Sequence, residues 1–187
     1  MAGKGFNTVF NLSGGIQAWD GNPATGPREL HLDLISGEES PFEIIAIAFQ
    51  MEESLGYFYR SAVDRATDNN LISLLTRLAS IEDRHKDAVM KMAPGFDPED
   101  ANLKKLPPHL LEGGFDSRTL LEENRSFLQK TSDVLDLAMM LEAQAMDLYM
   151  RLAEKSTVRN TKAILLKIAS EEKAHLASLG RLYDQTQ

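Results

Sequence analysis

The sequence contains no cysteine. This absence excludes disulfides, thiolate metal sites, iron–sulfur clusters and cysteine nucleophiles, and it is typical of a cytoplasmic protein. No apolar run approaches the roughly 20 residues that a transmembrane helix needs. The first twenty residues also lack the apolar segment of a signal peptide. We therefore predict a cytoplasmic protein that has no membrane partner.

Positive charge is also scarce. The 187 residues include 20 Lys and Arg against 28 Asp and Glu, which gives a net charge of −8. Because the sequence has no dense basic stretch, a phosphate backbone would be repelled on average, and we predict no nucleic-acid partner. A hydrophobic content of 43% is that of an ordinary globular protein with one core. The acidity has a second interpretation, in which buried carboxylates bind cations.

Apolar residues follow the helical period in four long segments. The first begins at the predicted N-cap Ser40 and runs to about Thr67, and the others cover 69–92, about 132–156 and about 158–183. Very short joins make the first two helices antiparallel neighbours, and likewise the last two. Residues 93–117 form a proline-rich crossover, followed by a predicted short helix over 118–131. This pattern predicts an all-α, ferritin-like four-helix bundle of two helical hairpins joined by a long crossover.

The second hairpin repeats the first at an offset of 90 residues. "IEDRHKDAV" at 81–89 and "EEKAHLASL" at 171–179 each place a glutamate three residues before a histidine. The same offset aligns further identical residues between the hairpins without a gap. Among these aligned pairs are Glu52 with Glu142, Glu82 with Glu172, His85 with His175 and Tyr59 with Tyr149. The predicted bundle is therefore a duplicated hairpin with a pseudo-twofold axis.

The repeat brings four glutamates and two histidines to the middle of the predicted bundle. Ionised carboxylates there are costly and repel one another, and two bound cations would remove both problems. One Glu from each of two helices and Glu-x-x-His from each of the others is the di-iron carboxylate pattern. By symmetry we predict Glu82 and Glu172 as bridging ligands and Glu52 and Glu142 as terminal ligands, with His85 and His175 completing the set. Oxygen and imidazole ligands suit two iron or manganese ions, and zinc can also occupy such a site.

Two further groups surround the predicted ligands. Tyr59 and Tyr149 follow the terminal glutamates by seven residues, and we predict that their phenols orient ligating carboxylates. Five methionines lie nearby, and we predict that they fill the core rather than bind metal. These methionines are Met51, Met139, Met140, Met146 and Met150.

This set of residues resembles the rubrerythrin family of the ferritin-like superfamily over residues 40–184. The resemblance implies a non-haem di-iron oxidoreductase that reduces peroxide or dioxygen, a role in oxidative stress, and a homodimer. Rubrerythrins proper carry a four-cysteine rubredoxin centre, which this chain lacks, so a separate rubredoxin-like or flavoprotein donor would supply electrons. Typical peroxidase members also have a glutamate where Ala145 stands here, which leaves a symmetric six-ligand centre.

Two other functions are compatible with the same predicted ligands. One is an iron-binding protein, either a ferroxidase or a storage protein, that does not turn over an external donor. The other is a structural or sensory module whose metal supports folding.

The N-terminal "GFNTVFNLSGGIQAWDG" at 5–21 is similar to the C-terminal strand, turn and helix of a rhodanese domain. The sulfur-carrying loop of a rhodanese needs a cysteine, so sulfurtransferase activity is excluded for this chain. We predict a rhodanese-like segment at 1–22, a linker at 23–39 and the di-iron domain at 40–184.

Overall fold

A computed structural model of the chain describes residues 35–100, 105–111, 116–123 and 129–185. The chain divides into two compact units, Met1–Leu30 and His31–Gln187. All described residues belong to the second unit. The predicted rhodanese-like segment at 1–22 and most of the predicted linker lie outside the described residues.

The described part of the chain is all-α, as predicted. It contains helices α1 (Pro41–Val63), α2 (Asn69–Lys91), α3 (Ser117–Glu123), α4 (Thr131–Lys155) and α5 (Arg159–Asp184). Helix α1 packs along α2 and α4 packs along α5, so the two predicted hairpins are present. Smaller contacts of α1 with α5 and of α2 with α4 join the hairpins into a helical bundle. None of the helices in the described ranges is both long and apolar enough to cross a membrane.

The helix boundaries follow local capping. Ser40 forms the predicted capping box: its hydroxyl accepts from the Glu43 backbone N–H, and the Glu43 carboxylate accepts from the Ser40 N–H. Asp68 caps α2 by accepting from the Leu71 N–H at 2.9 Å. Helices α4 and α5 have no side-chain cap at their N-termini.

The predicted end of α1 was wrong. Helix α1 ends at Val63 rather than near Thr67, because the chain turns there: the Arg65 and Ala66 N–H groups bond to the carbonyls of residues 62 and 63. Residue 68 then becomes extended so that it can cap α2. The short helix α3 begins one residue before the predicted position and is described as far as Glu123. Residues 124–128, over which the prediction extends this helix, lie outside the described residues.

The apolar core is formed by two clusters of buried side chains. One contains Ile47 and Met51 of α1 with Leu152 of α4 and Ile168 of α5. The other contains Leu55 and Phe58 of α1 with Leu78, Leu141 and Leu179 of the remaining long helices. Along each long helix, the predicted ligands fall between a residue of one cluster and a residue of the other. The predicted site is therefore a polar layer between two apolar layers.

The core-filling prediction for the methionines was only partly right. Met51 is fully buried, and Met139 and Met146 are partly buried against the core. Met140 and Met150 are 38% and 47% exposed, because they lie on the outward face of α4. Their partners in the repeat, Gln50 and Arg60, are polar, as expected for an outward face.

Candidate metal centre

The structure buries all four predicted glutamates. Glu52, Glu82, Glu142 and Glu172 are only 1–3% exposed, although carboxylates almost never lie fully inside a protein without a partner. Each comes from a different long helix, α1, α2, α4 and α5 in that order. The bundle thus collects four acidic groups in its interior.

The first half-site consists of Glu52, Glu82 and His85. The Nδ1 atom of His85 lies 2.9 Å from Glu82 Oε2 on the same helix and 3.4 Å from Glu52 Oε2 on α1. The i, i+3 spacing places Glu82 and His85 on one face of α2, as the sequence predicts. One atom from each of the three residues lies within 4.8 Å of the other two, which is close enough for a shared cation.

The second half-site consists of Glu142, Glu172 and His175. The Nδ1 atom of His175 lies 3.0 Å from Glu172 Oε2 and 3.5 Å from Glu142 Oε2. Both distances differ by only 0.1 Å from those of the first half-site. The 90-residue repeat in the sequence therefore corresponds to a geometric repeat in the bundle.

The two half-sites meet at their histidines. The rings of His85 and His175 are stacked, with 3.3 Å between the centroids and 3° between the ring planes. Ligand atoms of His85, Glu142 and His175 also lie within 4.8 Å of one another. All six predicted ligands therefore belong to one continuous cluster, and two adjacent cation positions would share it.

Burial has a direct electrostatic effect on this cluster. Desolvation raises the pKa of the Glu52 carboxyl group from 4.5 to about 8, even though the hydrogen bond with His85 opposes the change. Burial also raises the pKa of Glu142, but hydrogen bonds with His175 and Glu172 outweigh it and leave the pKa below its ordinary value. The protein groups alone therefore hold a proton on Glu52 at neutral pH.

The chemistry of this donor set fits a pair of divalent cations. Carboxylate oxygens and imidazole nitrogens are ligands for iron and manganese, and the four carboxylates would balance the four charges of two divalent ions. Glu82 adds to the raised pKa of Glu52 through its own charge, which shows that these two carboxylates repel. A cation between them would turn that repulsion into attraction.

The two predicted tyrosines are both buried, and their surroundings differ. The hydroxyl group of Tyr149 lies 3.9 Å from the sulfur of Met51, the residue that precedes Glu52. Tyr149 thus reaches from α4 to the ligand-bearing turn of α1. The repeat partner of Met51 is Leu141, whose side chain has no acceptor atom and cannot take part in an equivalent hydrogen bond. Orientation of the carboxylates by these phenols stays a prediction.

Apolar side chains occupy the positions at which a seventh carboxylate would stand. Ala145 is fully buried and Leu55 is 2% exposed, and they belong to the two different core clusters. At these two positions the polar layer is therefore lined by apolar side chains.

Sequence reasoning missed a group of charged residues outside the first half-site. We call it the outer ion-pair cluster: Arg60 pairs with Asp83 at 3.4 Å, and Lys86 pairs with Asp83 at 3.1 Å and with Glu53 at 3.9 Å. These pairs link α1 to α2 beside Glu82 and His85. The positions at which the two repeats disagree would have revealed this cluster, because none of its four residues is repeated in the second hairpin.

Gly56 was also missed. A β-carbon at this position would lie 3.3 Å from the Glu82 Cβ and 3.0 Å from the Arg60 guanidinium, so α1 and α2 approach closely here. Its repeat partner is Met146. The repeat alone therefore does not predict this close approach beside the ligands of the first hairpin.

Comparison with known proteins shows a similarity that is confined to the second hairpin and the residues that follow it. The rubrerythrin family model matches residues 133–187, which include nearly all of α4, all of α5 and the ligands Glu142, Glu172 and His175. The predicted resemblance to rubrerythrin is thus confirmed for this part of the chain. Neither the curated proteins nor the solved structures include a match.

Proposed function

We propose that this protein is a rubrerythrin-like di-iron carboxylate oxidoreductase that reduces peroxide or dioxygen. The observation that carries the proposal is the pair of half-sites, each with two buried glutamates and one histidine, which meet at stacked imidazole rings. The rubrerythrin match over residues 133–187 supports the same class of centre. When bound, two ferrous ions would supply the two electrons that, together with two protons from solvent, convert one hydrogen peroxide molecule into two water molecules.

The residues of the chain have distinct tasks in this proposal. Glu52 and His85 would hold one ion, Glu142 and His175 would hold the other, and Glu82 and Glu172 would contribute to both, as the repeat predicts. Glu82 and Glu172 are each within 3.0 Å of a histidine on their own helix, so they hold the imidazole rings in place.

The two apolar clusters above and below the polar layer would keep bulk water away from the ligands. A dry site strengthens every electrostatic contact between ligand and cation.

The experiment that tests the proposal uses anaerobic protein loaded with two equivalents of ferrous ion. Stopped-flow absorbance after addition of peroxide, and separately of dioxygen, should show oxidation faster than that of free ferrous ion. Glu52→Gln should abolish this advantage, because it removes one negative charge from a buried ligand.

Glu53→Gln is the matched control. The neighbouring side chain is 59% exposed, so this variant should oxidise iron like the wild type. Equal rates for protein-bound and free iron would refute the proposal, and so would equal rates for the two variants.

A ferroxidase that retains iron without an external donor is the second candidate. The observation that favours it is the fully buried Ala145, which leaves six ligands and no seventh carboxylate. Under this alternative, dioxygen would oxidise the bound iron faster than peroxide does, and ferric ion would stay with the protein. Faster oxidation by peroxide, followed by turnover with an added reductant, would favour the first candidate.

A further inference from the structure

The two half-sites have the same ligand distances and different exposure to solvent. The side chain of His85 is 8% exposed, whereas that of His175 is 19% exposed. The corresponding distances from Nδ1 to the carboxylates agree within 0.1 Å. The half-sites therefore offer similar ligands but different access.

Residues outside the ligands explain this difference. The outer ion-pair cluster joins α1 to α2 next to the first half-site, and its Lys86 side chain also lies over the Phe49 ring, 5.8 Å from the centroid. The Lys86 side chain is only 16% exposed, so most of it is removed from solvent beside the first half-site.

The second hairpin cannot form the same cluster. Arg60, Asp83, Lys86 and Glu53 are replaced at the repeat positions by Met150, Lys173, Leu176 and Ala143. Met150 is 47% exposed, and the α4 ion pair that the structure does show, Arg151 with Asp147, stays within one helix. No pair of opposite charges at these positions links α4 to α5.

Close packing acts in the same direction as the ion pairs. A β-carbon at Gly56 would lie 3.3 Å from the Glu82 Cβ, so α1 and α2 approach closely beside this ligand. Met146 stands at the equivalent place in the second hairpin and is only partly buried. A long, flexible side chain can move aside without separation of the helices.

From these observations we infer that the two cation positions exchange at different rates. The half-site of Glu142, Glu172 and His175 is the port through which a divalent cation enters and leaves, and the half-site of Glu52, Glu82 and His85 retains its cation. This inference rests on the cation-binding role proposed above. It adds a sequence of events: the cation position at Glu142, Glu172 and His175 is filled and emptied before the other one.

Cobalt(II) is a suitable probe, because it binds nitrogen and oxygen ligands and absorbs visible light. The full-length protein is loaded with two equivalents of cobalt and mixed with excess EDTA, and the loss of absorbance is followed. We expect two phases of equal amplitude, with rates about tenfold or more apart. A tenfold difference in rate corresponds to about 1.4 kcal/mol in the free energy of releasing the cation.

Histidine variants assign the two phases. His175→Ala should remove the fast phase and leave the slow phase near its wild-type rate, and His85→Ala should do the reverse. A circular-dichroism spectrum of each variant checks that the helices are intact. Release in a single phase from the wild type would overturn the inference, and so would loss of the fast phase in His85→Ala. If no cobalt binds at all, the proposed function itself fails.

Placing an equivalent of the Arg60–Asp83 pair on the second hairpin tests whether this ion pair causes the difference in release rate. The double substitution Met150→Arg with Lys173→Asp places an Arg60–Asp83 type of pair on the second hairpin. It should slow the fast phase about two- to fivefold, which is the range that an exposed ion pair supports. An unchanged fast phase would show that the outer ion-pair cluster does not control access.

Discussion

The α1–α2 hairpin and the α4–α5 hairpin hold their glutamates and histidines at nearly equal distances, yet their outer surfaces differ. The first hairpin carries interhelical ion pairs, a side-chain cap on each helix and a close helix contact at Gly56. The second has exposed methionines and no side-chain caps. The comparison shows that the cluster of ligands constrains the inner face, whereas the outer face of each hairpin is free to change.

The largest expected effect is on the free energy of unfolding after a core substitution, and it should be similar in the two hairpins. Leu75 and Leu165 are repeat partners and are 0% and 1% exposed. Leu75→Ala and Leu165→Ala should each lower the free energy of unfolding by about 2–5 kcal/mol, because each leaves a cavity in close packing. Urea denaturation followed by circular dichroism measures both. A loss below 1 kcal/mol in one variant alone would break the symmetry of the core.

A second prediction uses the raised pKa of Glu52. In EDTA-treated protein, Glu52→Gln should raise the free energy of unfolding at pH 8 by about 1–3 kcal/mol, because it removes a carboxylate that is costly to bury. A group whose pKa is higher in the folded state stabilises the protein fully below about pH 4.5 and less as the pH rises through about 8. The wild type should therefore lose stability between these values more steeply than the variant.

Thermal unfolding at several pH values provides this measurement. Glu53→Gln is again the control, since the exposed Glu53 side chain should leave the pH profile unchanged. Parallel profiles for the wild type and Glu52→Gln would contradict the electrostatic account of the site.

A third prediction concerns the caps at residues 68 and 158, which are repeat partners. Asp68→Ala should cost about 1 kcal/mol, because the Leu71 N–H loses its acceptor. Val158→Asp should gain up to about 1 kcal/mol by supplying the cap that α5 lacks. Equilibrium denaturation of both variants tests whether the difference between the hairpins lies in these caps. A loss of stability in Val158→Asp would show that the apolar side chain matters more than a cap.

The smallest expected effect is that of Arg60→Met, which gives the first hairpin the residue of the second. The Arg60–Asp83 pair is about half exposed on both sides, so its loss should change the free energy of unfolding by no more than about 0.5 kcal/mol. Differential scanning calorimetry should show a nearly unchanged melting temperature. A large loss would mean that the ion pair stabilises the fold as well as controlling access.

Much of the architecture was predictable from periodicity and capping. Ser40 with Glu43 marked the start of α1, and Asp68 marked the start of α2, because both act through local hydrogen bonds. The end of α1 was predicted less well. It depends on turn hydrogen bonds of residues 65 and 66, which no residue type in the sequence specifies.

The candidate site was predictable because it is duplicated. An offset of 90 residues brings all six predicted ligands into register. The structure places five of them in two overlapping groups that share His85, and Glu172 joins these groups through His175. The exposure of Met140 and Met150 was not predictable in the same way, since apolar residues stand on both faces of α4 and periodicity alone does not show which face is covered.

The sequence by itself determined the four long helices, their pairing into hairpins and the identity of the candidate ligands, because these follow from local periodicity and from an internal repeat. Only the tertiary structure decided that the two half-sites meet at stacked imidazole rings and that one of them is more open. The physical reason is that access depends on side chains from different helices, such as Arg60 with Asp83, whose distance is set by helix packing rather than by spacing along the chain.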